Sequence, residues 1–426
     1  MSIDFKKLIS EYSHCECGKP HECAIKDIVI EHGAAEKVGE ILKKNGFPKN
    51  LLLVADKTTL KAAAGVEKTL KDFTVTYYIY DNLRVAKMSD VRVIESMIEN
   101  GIEGVLSVGT GSLNDIARLA CARKNAPLCL FATAPSMDGF ASYSSPIVDG
   151  NFKITYPAKC PEVIIADTKI LAAAPAELKS AGFGDMVSKY IALVDWRVSH
   201  LVKGEEYCEK VSELTRFAVD HVMKMADKIT KNNEESAAAV FEGLLLTGIA
   251  MSFTKTSRPG SGTEHIMAHF IECMELLENK IPDFHGEDVG VTTLIVLKYY
   301  KQLAKLQHPK FQKEKVDWNE VYAAYGALAD DVKKINANGT STDGVAPGFC
   351  EKNWDKIVEI VNGVPDAEEV EAAMKKAGCK LTAEEIGKSR EFMAKAWKYH
   401  PYMRNRLSLR RLADMIVVDT GAQKQE

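Results

Sequence analysis

The sequence has no excess of charge of either sign, little cysteine and no long apolar run. Its 426 residues carry 55 Lys+Arg against 59 Asp+Glu, a formal net charge of −4. A chain this close to neutral exerts no bulk pull on nucleic acid or anionic lipid, so neither partner is expected. No uncharged apolar run approaches the ~20 residues needed to cross a bilayer. Residues 1–7 are not a basic stretch leading into an apolar core, so no secretory leader is expected. The 10 cysteines are too sparse for a disulfide scaffold and point to a reducing cytoplasm. Internal repeats and low-complexity segments are also absent. What is present, 46% hydrophobic and 27% charged residues, is the balance of a globular protein. At roughly 150 residues per domain, the length suggests two or three domains.

The first part of the chain alternates strand-like and helix-like segments. Apolar or β-branched runs predict strands over 27–30, 51–55, 74–80, 104–108 and 128–132. Helical periods fall between them, over 34–45, 57–71, 90–100 and 112–124. This rhythm implies an open parallel α/β sheet. It stops near Pro175. Beyond it the chain reads helical over 184–202, 208–230, 234–254, 264–279 and 287–306, with a Gly-, Asn-, Ser- and Thr-rich loop over 337–347. The expected organisation is an α/β domain over 1–175 and an all-α domain over 176–426. A cleft between two such domains is a usual place for a cofactor and substrate.

Four clusters carry chemistry. Gly109-Thr110-Gly111-Ser112-Leu113-Asn114-Asp115 lies between a strand and a helix. Glycines there admit a ligand close to the backbone, and free N–H groups at the helix start suit a pyrophosphate. The usual dinucleotide fingerprint has a third Gly where this chain has Asn114, so a plain tight turn is an equal reading. Thr133-Ala134-Pro135-Ser136-Met137-Asp138-Gly139 follows the next strand, at the carboxyl edge where open α/β sheets bind ligands. Asp138 either orients a polyol or caps a helix. Gly182-Phe183-Gly184-Asp185 is read as opening a helix. Far downstream come His265, His269 and His285, three of the 10 histidines. His265 and His269 share a helix face at i,i+4. A carboxylate with imidazoles suits a divalent metal with an open coordination position. Finally, Cys15, Cys17, His21 and Cys23 offer four potential ligands for a structural zinc. Their spacing matches no common zinc module, and a reduced, exposed arm is the alternative.

The order Gly-Thr-Gly-Ser, Thr-Ala-Pro-Ser-Met-Asp-Gly, Gly-Phe-Gly-Asp, Glu264-His265 and His285-Gly286 resembles the sn-glycerol-1-phosphate dehydrogenase family. Within it, the bacterial branch associated with arabinose operons is the most similar in pattern. That family belongs with the iron-containing alcohol dehydrogenases, glycerol dehydrogenase and 3-dehydroquinate synthase. The resemblance runs from the Cys-rich arm through Ala166-Asp167 and Asp195-Trp196 to Thr382-Ala383-Glu384-Glu385-Ile386-Gly387. It implies the dehydroquinate synthase-like fold, a parallel Rossmann-like sheet domain followed by an all-α domain.

The implied activity is a metal-dependent oxidoreductase of phospholipid metabolism. It would interconvert dihydroxyacetone phosphate and sn-glycerol 1-phosphate with NAD(P)H. A glycerol or polyol dehydrogenase is the alternative, and a 3-dehydroquinate synthase-like lyase a further one. The lyases carry Glu where this chain has Asp185, which argues against them. By position, Gly109, Thr110, Gly111, Ser112 and Leu113 match the loop over the cofactor pyrophosphate. Thr133, Pro135, Ser136 and Ser142 match a second cofactor-binding run, and Asp56 a residue near the adenosine ribose. A carboxylate there would bond the 2′-OH and repel a 2′-phosphate, favouring NAD over NADP. Asp185, His265 and His285 match ligands of one divalent metal, zinc or nickel. Asp138 would hold a substrate hydroxyl, and His269 would relay a proton. Lys153, Lys159 and Arg258 are cationic candidates for the substrate phosphate. The resemblance also implies a homodimer or larger homo-oligomer in the cytoplasm, acting on a small-molecule substrate.

Overall fold

A computed structural model describes residues 3–417. A short helix, α1 (Phe5–Tyr12), precedes β1 (Asp27–Glu31), α2 (Val38–Lys44), β2 (Asn50–Asp56), α3 (Lys57–Ala62) and β3 (Thr74–Tyr80). Then come α4 (Met88–Glu99), β4 (Gly104–Gly109), α5 (Ser112–Lys124) and β5 (Leu128–Ala132). A hairpin of β6 (Ser144–Asp149) and β7 (Phe152–Pro157) leads to β8 (Val163–Asp167). Six strands form one sheet in the order β1-β8-β5-β4-β2-β3, with every pair parallel.

Side-chain alternation divides the strands between two cores. Leu51, Leu53 and Ala55 of β2 pack with Val38 and Leu42 of α2 on one face. Leu52 and Val54 join Ile116 and Ala120 of α5 on the other. This period of two with apolar residues on both sides is what a doubly covered parallel sheet requires.

After β8 the chain is helical: α6 (Thr168–Ala173), α7 (Ala176–Val187), α8 (Lys189–Lys203), α9 (Glu209–Met223), α10 (Glu234–Thr254), α11 (Thr263–Leu277) and α12 (His285–Leu303). Shorter helices continue to Ala413. Residue 175 falls between α6 and α7. The core on the α5 face of the sheet runs without a break into Phe183, Met186, Val240 and Phe241 of the helical half. One helix, α10, is long and apolar enough to cross a membrane, but 89% of its apolar window is buried inside the fold.

The structure departs from the sequence reading in four places. The helix expected over 57–71 stops at Ala62, because Gly65 packs against Ala35 and the chain turns there. The hairpin and β8 are additional strands. Ser144, Ser145 and Pro146 have poor strand propensity, which hides β6. Gly150 and Asn151 both take positive φ in the hairpin turn, a local signal for such a connection. Gly182-Phe183-Gly184-Asp185 does not open a helix; it lies inside α7, which starts at Ala176. The glycines are there for contact. A Cβ on Gly182 would sit 1.8 Å from the Pro135 carbonyl oxygen, and one on Gly184 2.3 Å from that of Gly286. Cys23 stands apart from Cys15, Cys17 and His21, with its Sγ 3.7 Å from that of Cys160.

Candidate active site

The glycine loop joins β4 to α5. Gly111 has φ +46° at the N-cap of α5, a conformation that L side chains rarely adopt. The Thr110 hydroxyl is 2.6 Å from Ser136 Oγ and donates to the Ala134 carbonyl at 3.1 Å, so two strand ends are tied together. Asn114, where the fingerprint has glycine, is buried and accepts a hydrogen bond from Ser107 of β4 at 3.0 Å. Its side chain ties helix to strand and leaves the ligand side to the backbone.

These loops open onto a cavity of about 460 Å³. Thr110, Gly111, Ser112, Ser136, Asp138 and Ser142 line it from the α/β side. His265, His269 and His285 line it from the helical side. Gly109, Leu113, Thr133 and Pro135 lie behind this lining. Thr133 donates its N–H to Gly109 O at 3.2 Å, and the Pro135 carbonyl is the contact of Gly182. Asp56 is also outside the lining; its Oδ1 accepts from the N–H groups of Thr58 and Thr59 at 2.8 Å and caps α3.

Asp185, His265 and His285 converge, with one ligand atom from each within 4.8 Å of the others. The helix contact between α7 and α12 brings this about, since Gly184 and Gly286 let the two backbones touch. The start of α11, which carries His265 and His269, is held by Asp195 of α8. Asp195 Oδ2 accepts from both the N–H and the hydroxyl of Thr263 at 2.8 Å.

His265 and His285 each have a carboxylate behind the ring. His265 Nδ1 is 2.7 Å from Glu264 Oε1, and His285 Nδ1 is 2.7 Å from Glu272 Oε1. An ionised carboxylate only accepts, so each Nδ1 carries a proton and Nε2 is the nitrogen through which a metal would be bound, in place of any proton there. His265 Nε2 points at Asp185 Oδ1, 3.3 Å away. Carboxylate-backed imidazoles beside a buried carboxylate form a donor set that fits a divalent metal.

Charge in this cluster is concentrated and buried. Lys189, fully buried, reaches Asp138 Oδ2 at 2.7 Å, Asp185 Oδ1 at 2.8 Å and the Gly260 carbonyl at 3.1 Å. Asp138 also donates its backbone N–H to Asp185 Oδ2 at 2.9 Å. Burial penalises the Asp185 charge, but Lys189 and His265 outweigh it and hold the carboxyl well below the usual range. Burial likewise opposes a charge on His265, yet its hydrogen bonds to Asp185 and Glu264 push its pKa up to about 9. His269 goes the other way: burial first, then the Lys153 charge, push it well below the ordinary imidazole value.

The chain is similar to known proteins along most of its length. Residues 29–175 match the family described as iron-containing alcohol dehydrogenase. A glycerol-1-phosphate dehydrogenase [NAD(P)+] of Geobacillus thermodenitrificans is 29% identical over 400 residues, covering 91% of each chain. One of Thermococcus sibiricus is 35% identical over 274 residues, 64% of this chain and 76% of that one.

The chain belongs to the glycerol-1-phosphate dehydrogenase family.

Among solved structures, an archaeal alcohol dehydrogenase from a Red Sea brine pool superposes with a TM-score of 0.64, at 15% identity, over 93% of this chain and 96% of its own. The fold is therefore that of the iron-type alcohol dehydrogenases.

Of the three cations considered for a phosphate in this family member, Lys153 alone lines the cavity, and it pairs with Glu272 at 2.6 Å. Lys159 is engaged by Glu162 and the Ala126 carbonyl. Arg258 is buried against Glu205 and the Leu407 carbonyl. The cavity instead gains Arg404 and Arg406, which sequence reasoning missed. Arg404 donates to the carbonyls of Met403 and Lys153, and Arg406 to the Ser261 carbonyl and the Ser257 hydroxyl. Among the described residues neither has a carboxylate partner. Burial, followed by the neighbouring Arg258 charge, pushes Arg406 down to about 9. Lys189, Glu264 and Glu272 were also missed; for Glu264 the signal was its place directly before His265.

Proposed function

We propose that this chain interconverts dihydroxyacetone phosphate and sn-glycerol 1-phosphate, with Asp185, His265 and His285 holding one divalent metal, zinc or nickel. The observation that carries this reading is a pair of guanidiniums, Arg404 and Arg406, facing the same cavity as the three histidines without a carboxylate partner. Half-buried cations satisfied only by neutral acceptors are completed by an anionic ligand, and planar guanidiniums suit phosphate. An unphosphorylated polyol would leave both uncompensated.

When bound, the metal supplies Lewis acidity at the C2 oxygen and the nicotinamide of NAD or NADP supplies or accepts the hydride. The residues do the positioning. The free N–H groups at the start of α5, around Gly111 and Ser112, suit the cofactor pyrophosphate. Asp138 has one oxygen engaged by Lys189, and its other oxygen would accept a substrate hydroxyl. Glu264 and Glu272 accept from each histidine's Nδ1, so Nε2 is the nitrogen that would hold the metal. His269 is neutral in the ligand-free cavity. A phosphate dianion entering beside it favours the imidazolium, so substrate binding moves His269 toward a proton-relaying state. A homodimer or larger assembly in the cytoplasm is part of the same reading, and sedimentation equilibrium would weigh it.

Arg406→Gln tests the central feature. It is expected to lower kcat/KM for dihydroxyacetone phosphate by roughly 10–100-fold, as expected for one charged hydrogen-bond pair, and to leave weak turnover of dihydroxyacetone unchanged. Equal losses on both substrates would contradict the assignment.

A further inference from the structure

A second cluster of metal-ligating side chains lies outside the catalytic cavity. Cys15, Cys17 and His21 of the N-terminal arm meet Cys208, the residue that caps α9, and one ligand atom from each lies within 4.8 Å of the rest. Cys15 Sγ and Cys208 Sγ are 3.6 Å apart. His21 Nε2 is 3.3 Å from both Cys17 Sγ and Cys208 Sγ. The sulfur separation is far longer than the ~2.05 Å of a disulfide, and all three thiols of the cluster are free. It matches a tetrahedral zinc shell, where bonds of ~2.3 Å to sulfur and ~2.0 Å to nitrogen set sulfurs roughly 3.7 Å apart and sulfur and nitrogen roughly 3.5 Å apart.

The histidine tautomer agrees. His21 Nδ1 lies 3.1 Å from the Phe253 carbonyl oxygen. A carbonyl only accepts, so Nδ1 carries the proton and Nε2 presents its lone pair to the sulfurs. An outer hydrogen bond of this kind orients a ligating histidine. Tyr12 stacks on Phe253 at 5.0 Å and donates to the Lys210 carbonyl at 3.0 Å, so the arm is already seated beside the cluster.

We infer that Cys15, Cys17, His21 and Cys208 bind one structural zinc ion that staples the N-terminal arm to the start of α9. The three thiols lose their protons on binding, and the imidazole coordinates as the neutral ligand. No position stays open, so the site is structural rather than catalytic. Its effect is to anchor the segment that feeds β1, one of the two edge strands of the sheet, onto the helical half.

The test uses full-length protein prepared with zinc. Asp185→Asn removes a proposed catalytic ligand and isolates the second site. In that variant, native mass spectrometry should still find one zinc per chain, and X-ray absorption should show three sulfur neighbours. Adding Cys17→Ser, at an exposed position where folding is least at risk, should remove that zinc and lower the melting temperature. Absence of sulfur neighbours at the metal, or a zinc count unchanged by Cys17→Ser, would overturn the site and leave only thiol–imidazole hydrogen bonds. Neither readout depends on the enzyme's substrate, so failure here is distinguishable from failure of the proposed activity.

Discussion

Asp56 caps a helix and is also the carboxylate proposed to meet the adenosine ribose. Its Oδ1 caps α3 through Thr58 and Thr59, while its place at the end of β2 also suits contact with an adenosine ribose. Asn caps helices about as well as Asp, so Asp56→Asn removes the charge and keeps the cap. If Asp56 selects against a 2′-phosphate, the variant's NADPH-to-NADH ratio of kcat/KM rises several-fold with melting temperature unchanged; an unchanged ratio assigns Asp56 to capping alone. His400 carries a prediction about pH. Burial, and then the Arg410 charge, lower its pKa to about 3 from an ordinary 6.5. The unfolded chain therefore takes up a proton that the folded chain refuses. Stability from this residue is full above about pH 6.5 and falls as pH drops toward 3, with a slope approaching about 1.4 kcal/mol per pH unit. Denaturant titrations between about pH 6.5 and 5 should show this slope, and His400→Gln should flatten it. Single residues were unevenly legible in the sequence. His265 and His285 announced themselves by type and crowding, whereas Lys189 reads as an ordinary helix lysine until the fold buries it between Asp138 and Asp185.

At the scale of elements, the glycines of α7 and α12 decide whether Asp185 and His285 meet. A Cβ on Gly286 would lie 1.9 Å from the Ala181 carbonyl oxygen, a backbone atom that cannot swing aside. Gly286→Ala is expected to cost about 3 kcal/mol by overpacking and to weaken metal binding by parting Asp185 from His285. Gly348→Ala, in the helix Pro347–Lys352 and with nothing within 4 Å, should instead stabilise by up to about 1 kcal/mol. Calorimetry on the two variants checks both. The strands β2, β4 and β5 and the helices α5 and α10 were legible because short unbroken apolar runs and clear periods leave one reading. The position of Gly182 and Gly184 was not, because glycine in sequence signals a helix end more often than a helix–helix contact.

For the whole molecule, the two halves share one core and one cavity, so neither half holds a complete site. The α/β half brings the phosphate-suited loop and Asp138. The helical half brings the histidines, and the last part of the chain brings Arg404 and Arg406. Arg404 bonds the Lys153 carbonyl across 251 residues of sequence, a pairing that no local pattern encodes. The near-neutral charge of the chain thus conceals a cavity in which two guanidiniums, Arg404 and Arg406, have no carboxylate partner among the described residues.

The most direct measurement is the ratio of kcat/KM for dihydroxyacetone phosphate to that for dihydroxyacetone, with NADH and metal-loaded full-length protein. A preference for the phosphate of at least about 100-fold, the scale of a well-paired charged contact, with sn-glycerol 1-phosphate as product and loss of turnover on chelation, is the expected result. Equal or faster turnover of dihydroxyacetone would contradict the assignment of the cavity.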